Sequence, residues 1–166
     1  MFATGFNQQT SIVMAFKDVF KSNRQQKKEH QKNINFLKYL LFMAVSDEKL
    51  DETEFLMIQE VMLDKRGMSK GETVEEIKKM MKRGFSSKVQ VPETPEEKEE
   101  LVRFLASVML QDHKIEQQEW NFLTMVVKSL YAVKKDAAHE IMRDMVRQLM
   151  ATGEYSVTEV NIKENL

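Results

Sequence analysis

Two stretches of this chain are written to one pattern. "AVSDEKLDETEF" covers residues 44–55 and "MLQDHKIEQQEW" covers residues 109–120. Each runs Asp, one gap, Lys, then Leu or Ile, and after three intervening residues Glu followed by a large aromatic ring. The offset is 65 residues (112 − 47), and it also pairs Lys38 with Arg103, Tyr39 with Phe104, Leu40 with Leu105, and Val61 with Val126. Few of these are identities; the matching class at nearly every apolar position carries the relation. A fold that satisfies both copies is built from two similar units, about 34–84 and 99–150.

Each unit reads as helical. "INFLKYLLFMAV", residues 34–45, is apolar nearly all round, so it belongs in the middle of a domain, covered on most sides. Asp51 with Glu54 is a capping box, and Phe55, Ile58, Val61 and Met62 form the stripe that follows, stopped by Lys65-Arg66-Gly67. Ser69-x-x-Glu72 and Thr73-x-x-Glu76 compete to start the third helix. "FSSKVQVPE", 85–93, is a connecting loop. Thr94, with Pro95 at the first helical position and Glu96 and Glu97 in the first turn, starts the second unit. A last helix covers about 136–151. Two such three-helix units, burying their apolar faces on each other, predict an all-α, compact bundle of six to seven helices with approximate two-fold symmetry.

The remaining residues bracket this domain, taken as 27–151. Residues 1–26 hold a tail expected to fray over Met1–Thr10, then an amphipathic helix with Ile12, Phe16, Val19 and Phe20 on one face. Its polar continuation, Asn23 to Lys32, joins or extends into the next helix. Three covers stay open for that stripe: its own domain, a second copy in a homodimer, or a membrane surface touched peripherally through the basic residues of 11–28. Residues 152–166 form a weakly β-like tail.

Composition removes several function classes. Of 166 residues, 42% are hydrophobic and 31% charged, a globular balance; five Gly and two Pro are too few for a strand-and-turn architecture. With no Cys there is no thiolate metal site and no thiol nucleophile, which suits a reducing, cytoplasmic setting. A net charge of −1 gives no global attraction to nucleic acid, and no apolar run reaches the ~20 residues of a spanning helix. "KKMMKR" at 78–83 reads as a solvated face. His30, His113 and His139 are too scattered for a zinc pair, and no phosphate loop or nucleophile frame appears, so the chain reads as non-enzymatic.

What remains is the repeated acids. Asp47 and Asp112 each sit in the turn after an apolar helix, and Glu54 and Glu119 each sit in the first turn of the next. Brought together by pseudo-symmetry, the four carboxylates make a hard oxygen site for Ca²⁺, Mg²⁺ or Mn²⁺. Kept apart, they cap helices, with Lys49 and Lys114 at hand to neutralise them. An EF-hand does not fit: counted from Asp47, the sixth position is Glu52 and the twelfth Ile58; counted from Asp112, the twelfth is Leu123.

The doubled "A-x-x-D-G-x-[IL]-x-x-x-E" pattern resembles the TerB-like family, named for bacterial tellurite resistance. Here it stands as Val45-Ser46-Asp47-Glu48-Lys49-Leu50 with Glu54, and as Leu110-Gln111-Asp112-His113-Lys114-Ile115 with Glu119. The resemblance covers about residues 30–150. It implies a small all-helical, non-enzymatic domain in a stress-response assembly, sometimes membrane-associated, that engages a protein partner. It also implies paired acids proposed to hold a divalent cation. Glu48 and His113 stand where the family has Gly, which would supply a positive φ at no cost; either these residues adopt that conformation or the turn is built differently.

Overall fold

The computed structural model describes residues 6–44, 50–83 and 88–163, with side chains from residue 22 onward. Six helices are described: α1 (Phe6–Ala44), α2 (Glu52–Arg66), α3 (Lys70–Arg83), α4 (Pro95–Met109), α5 (Gln117–Tyr131) and α6 (Lys135–Ala151). Two three-residue strands, β1 (Lys114–Glu116) and β2 (Glu159–Asn161), pair in parallel. The protein is an all-α bundle of six helices, as expected. No helix among the described residues is long and apolar enough to cross a membrane.

The chain divides into two compact units, residues 1–34 and 35–166. In the first, α1 begins at Phe6, inside the stretch expected to fray, and the polar run after Asn23 continues the helix rather than breaking it. The side chains of Ile12, Phe16, Val19 and Phe20, and the turn holding Asp47, Glu48 and Lys49, lie outside what is described.

The second unit opens with the last turns of α1. Every residue from Asn35 to Ala44 is buried or half-buried, and Leu37 and Leu40 are wholly so. This is what an apolar circumference requires. Asp51 and Glu54 then exchange hydrogen bonds: the Glu54 N–H donates to Asp51 Oδ1 at 2.7 Å and the Asp51 N–H to Glu54 Oε2 at 3.0 Å. Between the competing signals for α3, Ser69 wins, trading bonds with Glu72 at 3.2 and 3.3 Å. Thr73 is buried one turn in, its hydroxyl donating to the Ser69 carbonyl. Residues 88–93 have no regular structure but are held on α1, where the Asn35 amide donates to the Gln90 carbonyl at 2.8 Å and accepts from its N–H at 2.9 Å. Thr94 and Glu97 cap α4 with Pro95 at its first position. From Leu101 to Leu110 every residue is buried except half-buried Arg103.

Helix boundaries keep the 65-residue offset. α1 ends at Ala44 and α4 at Met109; α2 spans Glu52–Arg66 and α5 spans Gln117–Tyr131; α3 begins at Lys70 and α6 at Lys135. The offset extends to the stops. Gly67 closes α2 at φ 63°, and Ala132 closes α5 at φ 49°. Gly adopts that left-handed conformation freely, whereas Ala brings its Cβ towards its own carbonyl.

Ala132→Gly should therefore stabilise the protein by about 0.5–1 kcal/mol, a rise of roughly 2–4 °C per kcal/mol in the melting temperature. Gly67→Ala should cost about 1 kcal/mol through backbone strain alone, since a Cβ there meets nothing within 4 Å. Thermal denaturation of the two variants decides; an unchanged Gly67→Ala would mean that the αL stop is not needed.

Candidate functional site

The second acidic turn is fully described. The chain leaves α4 at Leu110, and His113 adopts φ 63°, the left-handed geometry that the absent Gly would have supplied. His is among the residues that tolerate this region better than most. Asp112 Oδ1 accepts the Lys114 N–H at 3.3 Å, an Asx turn that aims the chain into β1. β1 holds Ile115, wholly buried, between exposed Lys114 and Glu116. α5 begins directly after it.

The two helix starts that carry the repeated Glu differ. At α2 the capping box is complete. At α5 the equivalent of Asp51 is Glu116, whose longer side chain makes no cap bond. Glu119 still reaches back to the Glu116 backbone N–H, as Glu54 does to Asp51. Its other oxygen, Oε2, is buried and has no hydrogen-bond partner among the described residues. Trp120, next in sequence, is buried against His139 with ring centroids 5.5 Å apart, and its indole N–H likewise finds no acceptor.

Burial is the main cause that lifts the Glu119 carboxyl, to about 8. Asp112 and Glu116 push it the same way, the Glu116 N–H opposes them, and Glu54 adds a smaller upward push. The first turn of a helix ordinarily favours an anion; here desolvation and three like charges outweigh it. Of the four residues expected to act together, Glu54, Asp112 and Glu119 thus share one electrostatic neighbourhood. Asp47 lies outside the described residues. Glu116 joins them, and sequence reasoning missed it, although the same offset sets it against Asp51. Among the described residues no three Asp, Glu or His side chains stand close enough together to clasp an ion, so what these acids share is a field. No protein family, curated protein or solved structure matches the chain.

The basic run of α3 pairs with its own helix: Lys79 bonds Glu76 at 2.9 Å and Lys78 lies 3.6 Å from Glu75. Both lysines are exposed, as on a solvated face.

Glu119 holds its proton in the folded chain up to about pH 8, whereas the unfolded chain releases it near 4.5. Its contribution to stability is complete below the unfolded value and is lost as pH rises through the folded one. Each pKa unit is worth about 1.4 kcal/mol, so on the order of a few kcal/mol are at stake, less what solvent and local rearrangement relieve. Glu119→Gln keeps the oxygen that accepts from Glu116 and removes the charge. It should leave urea stability near pH 5 almost unchanged and raise it at pH 9. Parallel pH profiles for the two proteins would show that Glu119 is not the group involved.

Proposed function

We propose that the chain is a non-enzymatic, TerB-like interaction module whose repeated acidic turns take up a divalent cation, working in a bacterial stress-response assembly of the tellurite-resistance kind. The observation that carries the reading is Glu119 Oε2, a buried oxygen without a partner among the described residues, set in the shared field of Asp112, Glu116 and Glu54. An acid oxygen buried among like charges suits a hard cation such as Ca²⁺, Mg²⁺ or Mn²⁺, which would displace the Glu119 proton and gather the neighbouring carboxylates around itself. Asp112 and Glu119, with Glu54 and Asp47 from the first copy, would supply the oxygens. The ion's charge would relieve the repulsion and draw the two turns together. The shared helix boundaries support treating the two three-helix units as related by an approximate two-fold axis, which would set one acidic stretch against the other.

The second reading has an observation of its own. Glu54 is engaged in a complete capping box, and Glu119 bonds the start of α5. On that reading the acids only cap helices, and the chain is an adaptor that binds a protein partner through its surface.

Calorimetric titration with Ca²⁺, Mg²⁺ and Mn²⁺ separates the two. The cation reading expects saturable binding of at least one ion, weakened roughly 10–100-fold or more by Asp112→Asn and by Glu119→Gln. Glu72→Gln, which alters a capping residue of α3, should bind as the parent does. No saturable heat with any of the three ions would leave the acids as caps.

A further inference from the structure

The C-terminal segment is held by the same short stretch that carries the second acidic turn. The His113 carbonyl accepts the Thr158 N–H at 2.9 Å and the Glu159 N–H at 3.3 Å. The His113 ring Nδ1 lies 2.9 Å from the Ser156 carbonyl and 3.0 Å from its hydroxyl. β1 and β2 pair in the register Lys114 to Glu159, Ile115 to Val160 and Glu116 to Asn161. Lys114 Nζ stands 3.6 Å from Glu159, and the Lys163 N–H donates to Gln117 Oε1 at 2.7 Å. Tyr155, whose hydroxyl meets Lys65 at 2.6 Å, ties the start of the segment to α2.

These contacts are polar and lie at the surface. All three residues of β2 are exposed, and Val160 remains 45% exposed although it stands beside wholly buried Ile115. β1 is anchored by wholly buried Ile115, but β2 buries no side chain, and a strand held in a two-stranded ribbon through surface contacts alone is marginal in water. Its main-chain bonds need no particular sequence, whereas the ion pair to Lys114 and the apolar position beside Ile115 do.

We propose that residues 113–117 form a strand-docking site for a partner protein, which offers an extended segment with an acidic residue followed by a large aliphatic one, and that β2 fills the site in the free chain. The acid meets Lys114. The aliphatic side chain takes the place of half-exposed Val160 in register with Ile115, and the backbone repeats the bonds to His113 and Gln117. A second copy of this chain would bring only the same Val160 segment, and a tethered strand outcompetes its untethered equal through effective concentration. The occupant must improve on β2, so it belongs to another protein. This site goes beyond the cation reading and does not depend on it.

The probe is a fluorescent peptide of residues 155–163 with Val160→Leu, titrated into the full chain and into full-length Glu159→Pro. That substitution removes an N–H that donates to His113 and keeps the tail out of the ladder. The peptide should bind Glu159→Pro at least ~10-fold tighter than the parent, because no competing strand has to leave. NMR shift changes should centre on residues 113–117. Lys114→Glu added to Glu159→Pro should weaken binding by a similar factor, and a peptide with Lys in place of the acid should restore it. Equal affinity for both chains, no binding to Glu159→Pro, or shift changes centred elsewhere would overturn the proposal. So would a parent dimer with exchanged tails, which would assign the site to a second copy. Native-state hydrogen exchange gives a reading that needs no variant. The Glu159 and Lys163 amides should exchange well before those of the α5 core; protection equal to global unfolding would mean that β2 never leaves.

Discussion

Residues 35–44 and 101–110 cannot face water, and the second unit is arranged around that fact. Leu37, Leu40, Leu101, Val102 and Leu105 are wholly buried, and nothing in either stretch is exposed. Each such side chain is worth roughly 1.5–3 kcal/mol out of water. Around these two stretches α2, α3, α5 and α6 turn their apolar stripes inward, α5 adding wholly buried Trp120, Leu123 and Val127. Phe36 of α1 meets Phe104 of α4 with ring centroids 5.0 Å apart. Arg66, at the end of α2, lays its guanidinium 4.3 Å from the Phe36 ring centre and bonds Glu100 of α4 at 3.0 Å, its side chain only 13% exposed. A cation on an aromatic face gains strength as water is excluded, and pairing with Glu100 settles the remaining charge.

A helix buried on all sides has to leave its core abruptly, and of the two repeated acidic stretches the second, at Asp112, falls at the exit of α4. There His113 takes a conformation that costs an ordinary side chain of order 1–3 kcal/mol. Such a residue persists only where its surroundings over-determine it. Its carbonyl receives two N–H groups from the C-terminal segment, and its ring bonds Ser156. The strained turn and the docked tail therefore support one another, and neither is independent of the acids on either side.

The starts of α2 and α4 were legible because each rests on a few neighbouring residues, Asp51 with Glu54 and Thr94 with Pro95 and Glu97. At α3 two such signals four residues apart competed until burial of Thr73 left Ser69 as the cap. The apolar circumference of 35–44 announced its own burial. β1 and β2 were illegible as a pair, since three residues are too short for alternation to register, and their partnership spans 45 positions (159 − 114) that nothing local encodes. The tail showed only a weak β-like character. At the site, Glu54, Asp112 and Glu119 could be named from the repeat. Glu116 escaped because its counterpart by the offset, Asp51, has the signature of a helix cap, and the longer side chain at 116 changes that role from cap to field.

That change separates the two copies physically. An N-cap Asp is short enough to fold onto the third helical N–H, and at Asp51 it does so at 2.7 Å while Glu54 returns the bond. Glu116 carries one methylene more and makes no such bond, so a third acid acts on Glu119 beside Asp112 and Glu54. A turn selected for stability alone would repeat the solution found sixty-five residues earlier (116 − 51). The second copy instead leaves a buried oxygen bare among three acids, at a strained backbone, beside the strand that receives the tail. Departures from local consistency gather where a fold serves something besides itself, and residues 112–119 combine an orphaned oxygen, a positive φ and a missing cap within eight positions.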